Sequence, residues 1–144
     1  MNYLVDTQIL LWSFIEPKRL HRRISEIITD RANNIYYSPV NLWEISIKFS
    51  IKKLKLKGIT PEDFFNELSG SFFLCKEINP VDMATNYLLP MHHRDPFDRF
   101  IIWEAIKNDF ILLSADKSIK PYRKEGLQLI TNERLFPGIP PGSS

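Results

Sequence analysis

Four carboxylates in this chain stand where an acidic side chain calls for a reason. Asp6 directly follows the apolar run Tyr3-Leu4-Val5, and Asp116 follows Phe110-Ile111-Leu112-Leu113-Ser114-Ala115, so each falls where a short strand would end. Asp98 lies in a helix start: Asp95 suits the N-cap, Pro96 the first helical position, and Asp98 the third, a capping-box-like arrangement. Glu44 lies in mid-helix, flanked by Trp43, Ile45 and Ile47. Taken singly, each aspartate reads as a helix cap, and Glu44 has an i,i+4 partner in Lys48. Taken together they suggest chemistry. Several carboxylates around one point repel one another unless a hard cation lies between them, and all-oxygen ligation suits Mg²⁺ or Mn²⁺. Such an ion typically acts on phosphates.

Other metal chemistries fit less well. Cys75 is the single cysteine, so it has neither a disulfide nor a thiolate partner, and it reads as a small buried hydrophobe in a reducing compartment. His92 and His93 are neighbours in a loop without helical ligand spacing, which predicts surface or capping roles rather than zinc binding. Net charge is only +2, but Lys48, Lys52, Lys53, Lys55 and Lys57 crowd one segment and Lys18, Arg19, Arg22 and Arg23 another. These clusters read either as solvated faces or as a phosphate-binding rim around the acidic centre.

The elements that would position these residues alternate. Strands are expected at 3–5, 35–37, 71–78, 110–113 and 126–130, with helices at about 9–14 and 20–32 and others starting at Ser38-Pro39, Thr60-Pro61, Asn79-Pro80 and Asp95-Pro96. The helix from Pro39 reads as apolar nearly all round, and a short helical turn is expected near 117–122. Most strands are continuous apolar runs, as when both sheet faces are covered, which indicates an α/β domain with a parallel sheet. In such sheets ligands bind outside the carboxyl ends of the strands, where Asp6 and Asp116 fall. If the first and fourth strands are neighbours, Asp98 joins them.

At 144 residues, with 44% apolar, 12% aromatic and 25% charged residues, the chain has the composition of one ordinary globular domain. No run approaches the roughly 18 apolar residues of a membrane span, and the start Met-Asn-Tyr-Leu-Val-Asp does not resemble a signal peptide, so a cytoplasmic location without membrane contact is expected. A domain over 1–136 is expected, followed by a Pro/Gly/Ser-rich flexible tail, 137–144, whose Gly-Ser-Ser end reads as an appended remnant.

Four segments in order, Asp6-Thr7-Gln8-Ile9-Leu10-Leu11-Trp12, Ser38-Pro39-Val40-Asn41-Leu42-Trp43-Glu44-Ile45, His93-Arg94-Asp95-Pro96-Phe97-Asp98-Arg99 and Leu113-Ser114-Ala115-Asp116, resemble the successive motifs of PIN-domain ribonucleases, and more narrowly their VapC-type toxin branch. The resemblance covers nearly the whole chain to about residue 131. It implies a PIN-like three-layer fold with a central, mainly parallel sheet flanked by helices. It also implies an RNA-cleaving enzyme using Mg²⁺ or Mn²⁺, usually a homodimer, inhibited by a cognate antitoxin whose C-terminal segment fills the groove. By resemblance Asp6, Glu44, Asp98 and Asp116 form the metal-binding and catalytic set, with Asp95, Ser114 and Thr7 as auxiliaries. Asp6 and Asp98 are expected to hold the ion directly, Asp116 directly or through water, and Glu44 to position a water. Ser114 could instead simply satisfy the strand end. Arg99, Lys48, Lys52 and Lys53 are expected to meet RNA phosphates.

Two positions depart from the branch, which often has His where Gln8 stands and a small residue where Asn41 stands; neither is an acidic ligand. Two other readings compete. A phosphoacceptor or phosphatase domain would use Asp6 as nucleophile but would want a second acidic residue at or beside it. A catalytically silent module binding RNA or a partner protein would have no reason to keep four repelling carboxylates.

Overall fold

The computed structural model describes residues 1–133; the end of the expected domain, 134–136, and the tail 137–144 lie outside the described residues. Five strands, β1 (Asn2–Val5), β2 (Asn34–Tyr37), β3 (Leu74–Cys75), β4 (Ile111–Ser114) and β5 (Gln128–Thr131), form one sheet in the order β3-β2-β1-β4-β5, with every pairing parallel. The chain builds outward from β1 to β2 and β3, then crosses back to lay β4 against the other edge of β1. That reversal places a crevice beyond the carboxyl ends of β1 and β4, the usual ligand position in open α/β sheets.

Six helices cover the sheet: α1 (Thr7–Ile15), α2 (Arg22–Thr29), α3 (Pro39–Ser50), α4 (Pro61–Ser69), α5 (Pro80–Thr85) and α6 (Pro96–Asn108). Alternation along the strands divides the core in two. Tyr3, Val5 and Leu113 point to a cluster containing Ile9, Leu10, Ile24, Ile28, Ile45, Phe64 and Leu68. Leu4 and Leu112 point the other way, to Val40, Phe100, Ile101, Ile102 and Ala105. The three layers follow from this period-two pattern. No helix among the described residues is long and apolar enough to cross a membrane.

All four proline-marked starts form: Ser38, Thr60, Asn79 and Asp95 are N-caps whose side chains accept backbone N–H groups, each with proline in the first turn. Elsewhere the boundaries differ from expectation. The helix expected over 20–32 divides into a 3-10 turn at Pro17–Arg19 and α2, because Leu20 leaves helical geometry with φ −76° and ψ 133°. The helix from Pro80 becomes 3-10 at Asn86–Leu88, and the turn near 117–122 is a longer 3-10 run, Lys117–Glu125, ending at Gly126 with φ +96°. The third strand shrinks to two exposed residues at the sheet edge, so Cys75 is exposed rather than a buried hydrophobe.

Trp43 corrects the picture of an all-apolar α3. It is 59% exposed and meets Phe97 edge to face, while Glu44 beside it is buried. A second buried carboxylate, Glu104 of α6, is fully enclosed, and Lys76 Nζ lies 3.5 Å from it. Burial raises the pKa of Glu104 against the opposing pull of Ser38 and Lys76.

Candidate active site

Asp6 ends β1 and begins α1. Its backbone N–H continues the sheet by donating to Leu113 O at 2.9 Å, which locks it beside β4. Its Oδ1 caps α1 by accepting from Ile9 N at 2.8 Å, and its Oδ2 accepts from Ser114 Oγ at 2.7 Å and Ala115 N at 2.9 Å. Ser114 Oγ in turn accepts from Asp116 N at 3.0 Å. Of the two roles open to Ser114 in the sequence, the structure combines both, because one hydroxyl satisfies the strand end and holds Asp6.

Glu44 is buried one helical turn after the α3 capping box. Its Oε1 accepts from Thr7 Oγ1 at 2.5 Å, and its Oε2 pairs with Lys48 Nζ at 2.5 Å. Lys48 thus satisfies Glu44 as the helical spacing suggested, but in a half-buried rather than an exposed pair. Burial acts to lower the Lys48 pKa, and the neighbouring Glu44 overrides it, leaving a net rise. Asn41 was noted in the sequence only as a departure. Its Oδ1 closes the capping box at Ser38 N, 2.7 Å, and its Nδ2 donates to Thr7 Oγ1 at 3.0 Å, so it sets the hydroxyl that holds Glu44.

Asp98 differs from the others. Asp95 Oδ1 caps α6 by accepting from Phe97 N and Asp98 N at 2.8 and 3.3 Å. The reciprocal half of a capping box does not form, because Asp95 N donates to His93 Nδ1 at 3.0 Å instead. Asp98 is therefore released from capping and turns toward the other carboxylates, with His93 Nε2, 3.5 Å from its Oδ2, as the nearest charge partner. Burial first, then the charges of Asp95, Asp6 and Glu44, raise its pKa to about 7. Burial also raises Asp6 to about 6 against its three hydrogen bonds, with Glu44 adding to the rise. Asp116, more exposed, goes the other way. Burial acts to raise it, but hydrogen bonds from Ser118 and His93 outweigh that and hold it below the usual carboxylate range.

Asp6, Glu44, Asp98 and Asp116 line one open cleft of about 420 Å³ together with Thr7, Gln8, Lys48 and Lys53. Lys52 is not among its lining residues; it sits in the exposed turn after α3 with φ +60°. Arg99 is a correction. It is 7% exposed, and its guanidinium donates to Leu89 O, Pro90 O and Tyr122 Oη at 3.0, 3.0 and 3.2 Å. A guanidinium consumed by buried carbonyls has no face left for a phosphate. It clamps the loop before α6.

His93 is the residue that sequence spacing missed. Its Nε2 lies 2.8 Å from Asp116 Oδ2, and potential ligand atoms of His93, Asp98 and Asp116 fall within 4.8 Å of one another, the one such group among the described residues. Adjacent histidines in a loop carry no signal for this, since only the fold brings residue 116 to them.

The donor set fits a hard cation. Three carboxylates carry mutual repulsion that raises two pKa values, and Asp98, with no hydrogen-bond donor closer than 3.5 Å, has lone pairs free for an ion.

A family model described as PIN domain matches residues 3–132. No curated protein matches the chain at a significant level. Among solved structures, similar chains include one in VapBC2 from Rickettsia felis bound to a DNA fragment from its promoter, 18% identical over 92% of this chain and 100% of that one, with a TM-score of 0.67. A toxin–antitoxin complex from Klebsiella pneumoniae contributes a chain 16% identical over 92% of this chain and 99% of that one, TM-score 0.57. VapBC-1 from nontypeable Haemophilus influenzae contributes one 17% identical over 91% and 98%, TM-score 0.58. At these identities the structural likeness speaks for the fold.

Proposed function

Because the chain belongs to the PIN domain family, we propose that it is an endoribonuclease dependent on Mg²⁺ or Mn²⁺, and the VapC-type toxin of a toxin–antitoxin pair. The observation that carries this reading is the convergence of Asp6, Glu44, Asp98 and Asp116, drawn from four distant parts of the sequence, on one cleft beyond β1 and β4. In this reading Asp6, Asp98 and Asp116 hold the ion and Glu44 orients a water. When bound, a divalent cation supplies neutralisation of developing phosphoryl charge and lowers the pKa of a coordinated water.

The chain's own residues do the rest. Thr7 and Lys48 hold Glu44 as a carboxylate turned into the cleft, able to accept a proton from water. Ser114 fixes the orientation of Asp6. Lys53, lining the same cleft, offers an ammonium to the polyanionic backbone. Lys52, exposed at the mouth of this segment, adds to the same field without a fixed contact. A homodimer in the cytoplasm, inhibited by a cognate antitoxin, completes the proposal; its support is the likeness to chains from toxin–antitoxin complexes.

The test is cleavage of tRNA, rRNA and mRNA pools by purified protein. Cleavage with Mg²⁺ or Mn²⁺ and none in excess EDTA is expected, and growth arrest on expression should be relieved by a co-expressed antitoxin. Cleavage that persists in EDTA overturns the metal mechanism. Inactivity on all pools, with binding retained, turns the reading into that of a silent module.

A further inference from the structure

We propose that His93 is a positioning residue that holds Asp116 through a hydrogen bond donated by Nε2–H, and is not itself a ligand of the metal. The inference rests on the metal-nuclease reading for its consequence, but its geometry stands apart from it. Both ring nitrogens are accounted for. Asp95 N–H points at Nδ1 from 3.0 Å, and a backbone N–H is an obligatory donor, so Nδ1 accepts and carries no proton. The proton of the neutral ring then sits on Nε2, which faces Asp116 Oδ2 at 2.8 Å, an acceptor. Every donor meets an acceptor in this tautomer. In the other tautomer two N–H groups would face each other at Nδ1, and Nε2 would face a carboxylate without a proton between them.

Ligation of a cation by Nε2 needs the lone pair that this proton occupies, so His93 acts through Asp116. The partner side of Asp116 agrees. Its Oδ1 accepts from Ser118 N and Oγ at 2.9 and 2.6 Å, so Ser118 on one oxygen and His93 on the other fix the carboxylate plane.

The ring is held in turn by the fold. Tyr122, fully buried, accepts the His93 backbone N–H at 3.0 Å and donates to Pro90 O at 2.8 Å. Arg99 ties the same loop down through Leu89 O and Pro90 O. The N-terminus of α6 therefore reaches Asp116 through one chain of contacts, Asp95 N–H to His93 to Asp116, which couples the helix bearing Asp98 to the strand end bearing Asp116.

Two amides separate the possibilities, because the glutamine amide nitrogen reaches the place of Nε2 whereas asparagine places its polar atoms near Nδ1. If His93 acts as a donor to Asp116, His93→Gln keeps the Mn²⁺ affinity and kcat within a fewfold. His93→Asn, which still offers an acceptor to Asp95 N–H, loses about 10- to 100-fold in Mn²⁺ affinity, with KM for RNA little changed. Mn²⁺ affinity is read from the thermal shift and from electron paramagnetic resonance of free Mn²⁺, and melting in EDTA checks that both variants fold. Imidazole ¹⁵N shifts of metal-free protein should show Nε2 protonated and Nδ1 bare. A protonated Nδ1, an Asn variant that behaves as wild type, or equal losses in both variants overturns the inference. A wild type that shows no Mn²⁺ shift and no cleavage overturns the proposed function and with it the role of His93 there. A normal wild type with a failing Gln variant overturns only the inference.

Discussion

Thr7 Oγ1 donates to Glu44 Oε1 at 2.5 Å, joining the first turn of α1 to the middle of α3 across 37 residues of sequence. The same oxygen accepts from Asn41 Nδ2, so the hydroxyl can point only at the carboxylate. Thr7→Val keeps the shape and removes the donor. It leaves the Asn41 amide and Glu44 Oε1 buried without that partner, at a cost of about 1 to 3 kcal/mol. Cleavage should fall by about tenfold or more, while the Mn²⁺ thermal shift changes little, because in the proposed site Glu44 serves the water rather than the ion. Thr7→Ser should restore both. A valine variant as active as wild type removes Glu44 from the mechanism.

Asp98 gives a pH prediction with a definite sign. Its folded pKa of about 7, like the value of about 6 for Asp6, lies above the usual 3.8. The folded state therefore binds protons that the unfolded state has released, and metal-free stability falls as pH rises from about 4 to about 7. Asp98→Asn removes the larger share. In EDTA the variant should match wild type near pH 4 and exceed it at pH 8 by on the order of 2 to 4 kcal/mol. In millimolar Mn²⁺ the order reverses. Wild type gains a shift that grows from pH 6 to 8 as Asp6 and Asp98 ionise, and the variant loses most of it. Melting curves over pH, with EDTA and with Mn²⁺, decide the matter; a variant that keeps the wild-type shift shows that Asp98 does not bind the ion.

Much of this site was legible because the signals were local. Ser38-Pro39, Thr60-Pro61, Asn79-Pro80 and Asp95-Pro96 fix helix starts through cap chemistry confined to four residues, and apolar runs ending in Asp6 and Ser114-Ala115-Asp116 fix strand ends. The parallel sheet followed from those runs. What stayed hidden depends on partners far apart in sequence. His93 gains its meaning from Asp116, Arg99 is turned inward by Tyr122 and the loop carbonyls, and Cys75 is exposed because β3 keeps only two residues at the sheet edge. An arginine next to a helix start looks the same in sequence whether it faces a phosphate or a buried carbonyl.

The pair of Lys76 and Glu104 gives a stability prediction away from the cleft. Glu104 is fully buried with Lys76 Nζ 3.5 Å away, and Asp82 nearby adds negative charge. Lys76→Met leaves that carboxylate without its cation and should cost about 3 to 5 kcal/mol at pH 8. Burial raises the Glu104 pKa, so the cost should shrink as pH falls and the carboxylate takes up a proton. Adding Glu104→Gln should recover much of the loss, since a neutral amide needs no counter-charge. Denaturant melts of the two single variants and the double variant measure the coupling, and additive losses would show that the two groups do not interact.

Arg99 and Lys53 should separate structural from RNA-facing cations. Arg99 donates to two loop carbonyls and to Tyr122, and lysine cannot reproduce that fork, so Arg99→Lys should destabilise the protein by about 2 kcal/mol or more through unsatisfied buried carbonyls. The salt dependence of RNA binding should not change, because no phosphate contact is lost. Lys53 lines the cleft with its ammonium, so Lys53→Ala should leave melting within about 0.5 kcal/mol of wild type. The slope of log K against log salt should fall by about one contact. Binding titrations from low to moderate salt, run on a cleavage-dead Asp98→Asn background so that the RNA stays intact, give both slopes. An Arg99 variant that folds normally and loses a full contact would return Arg99 to the RNA-binding surface.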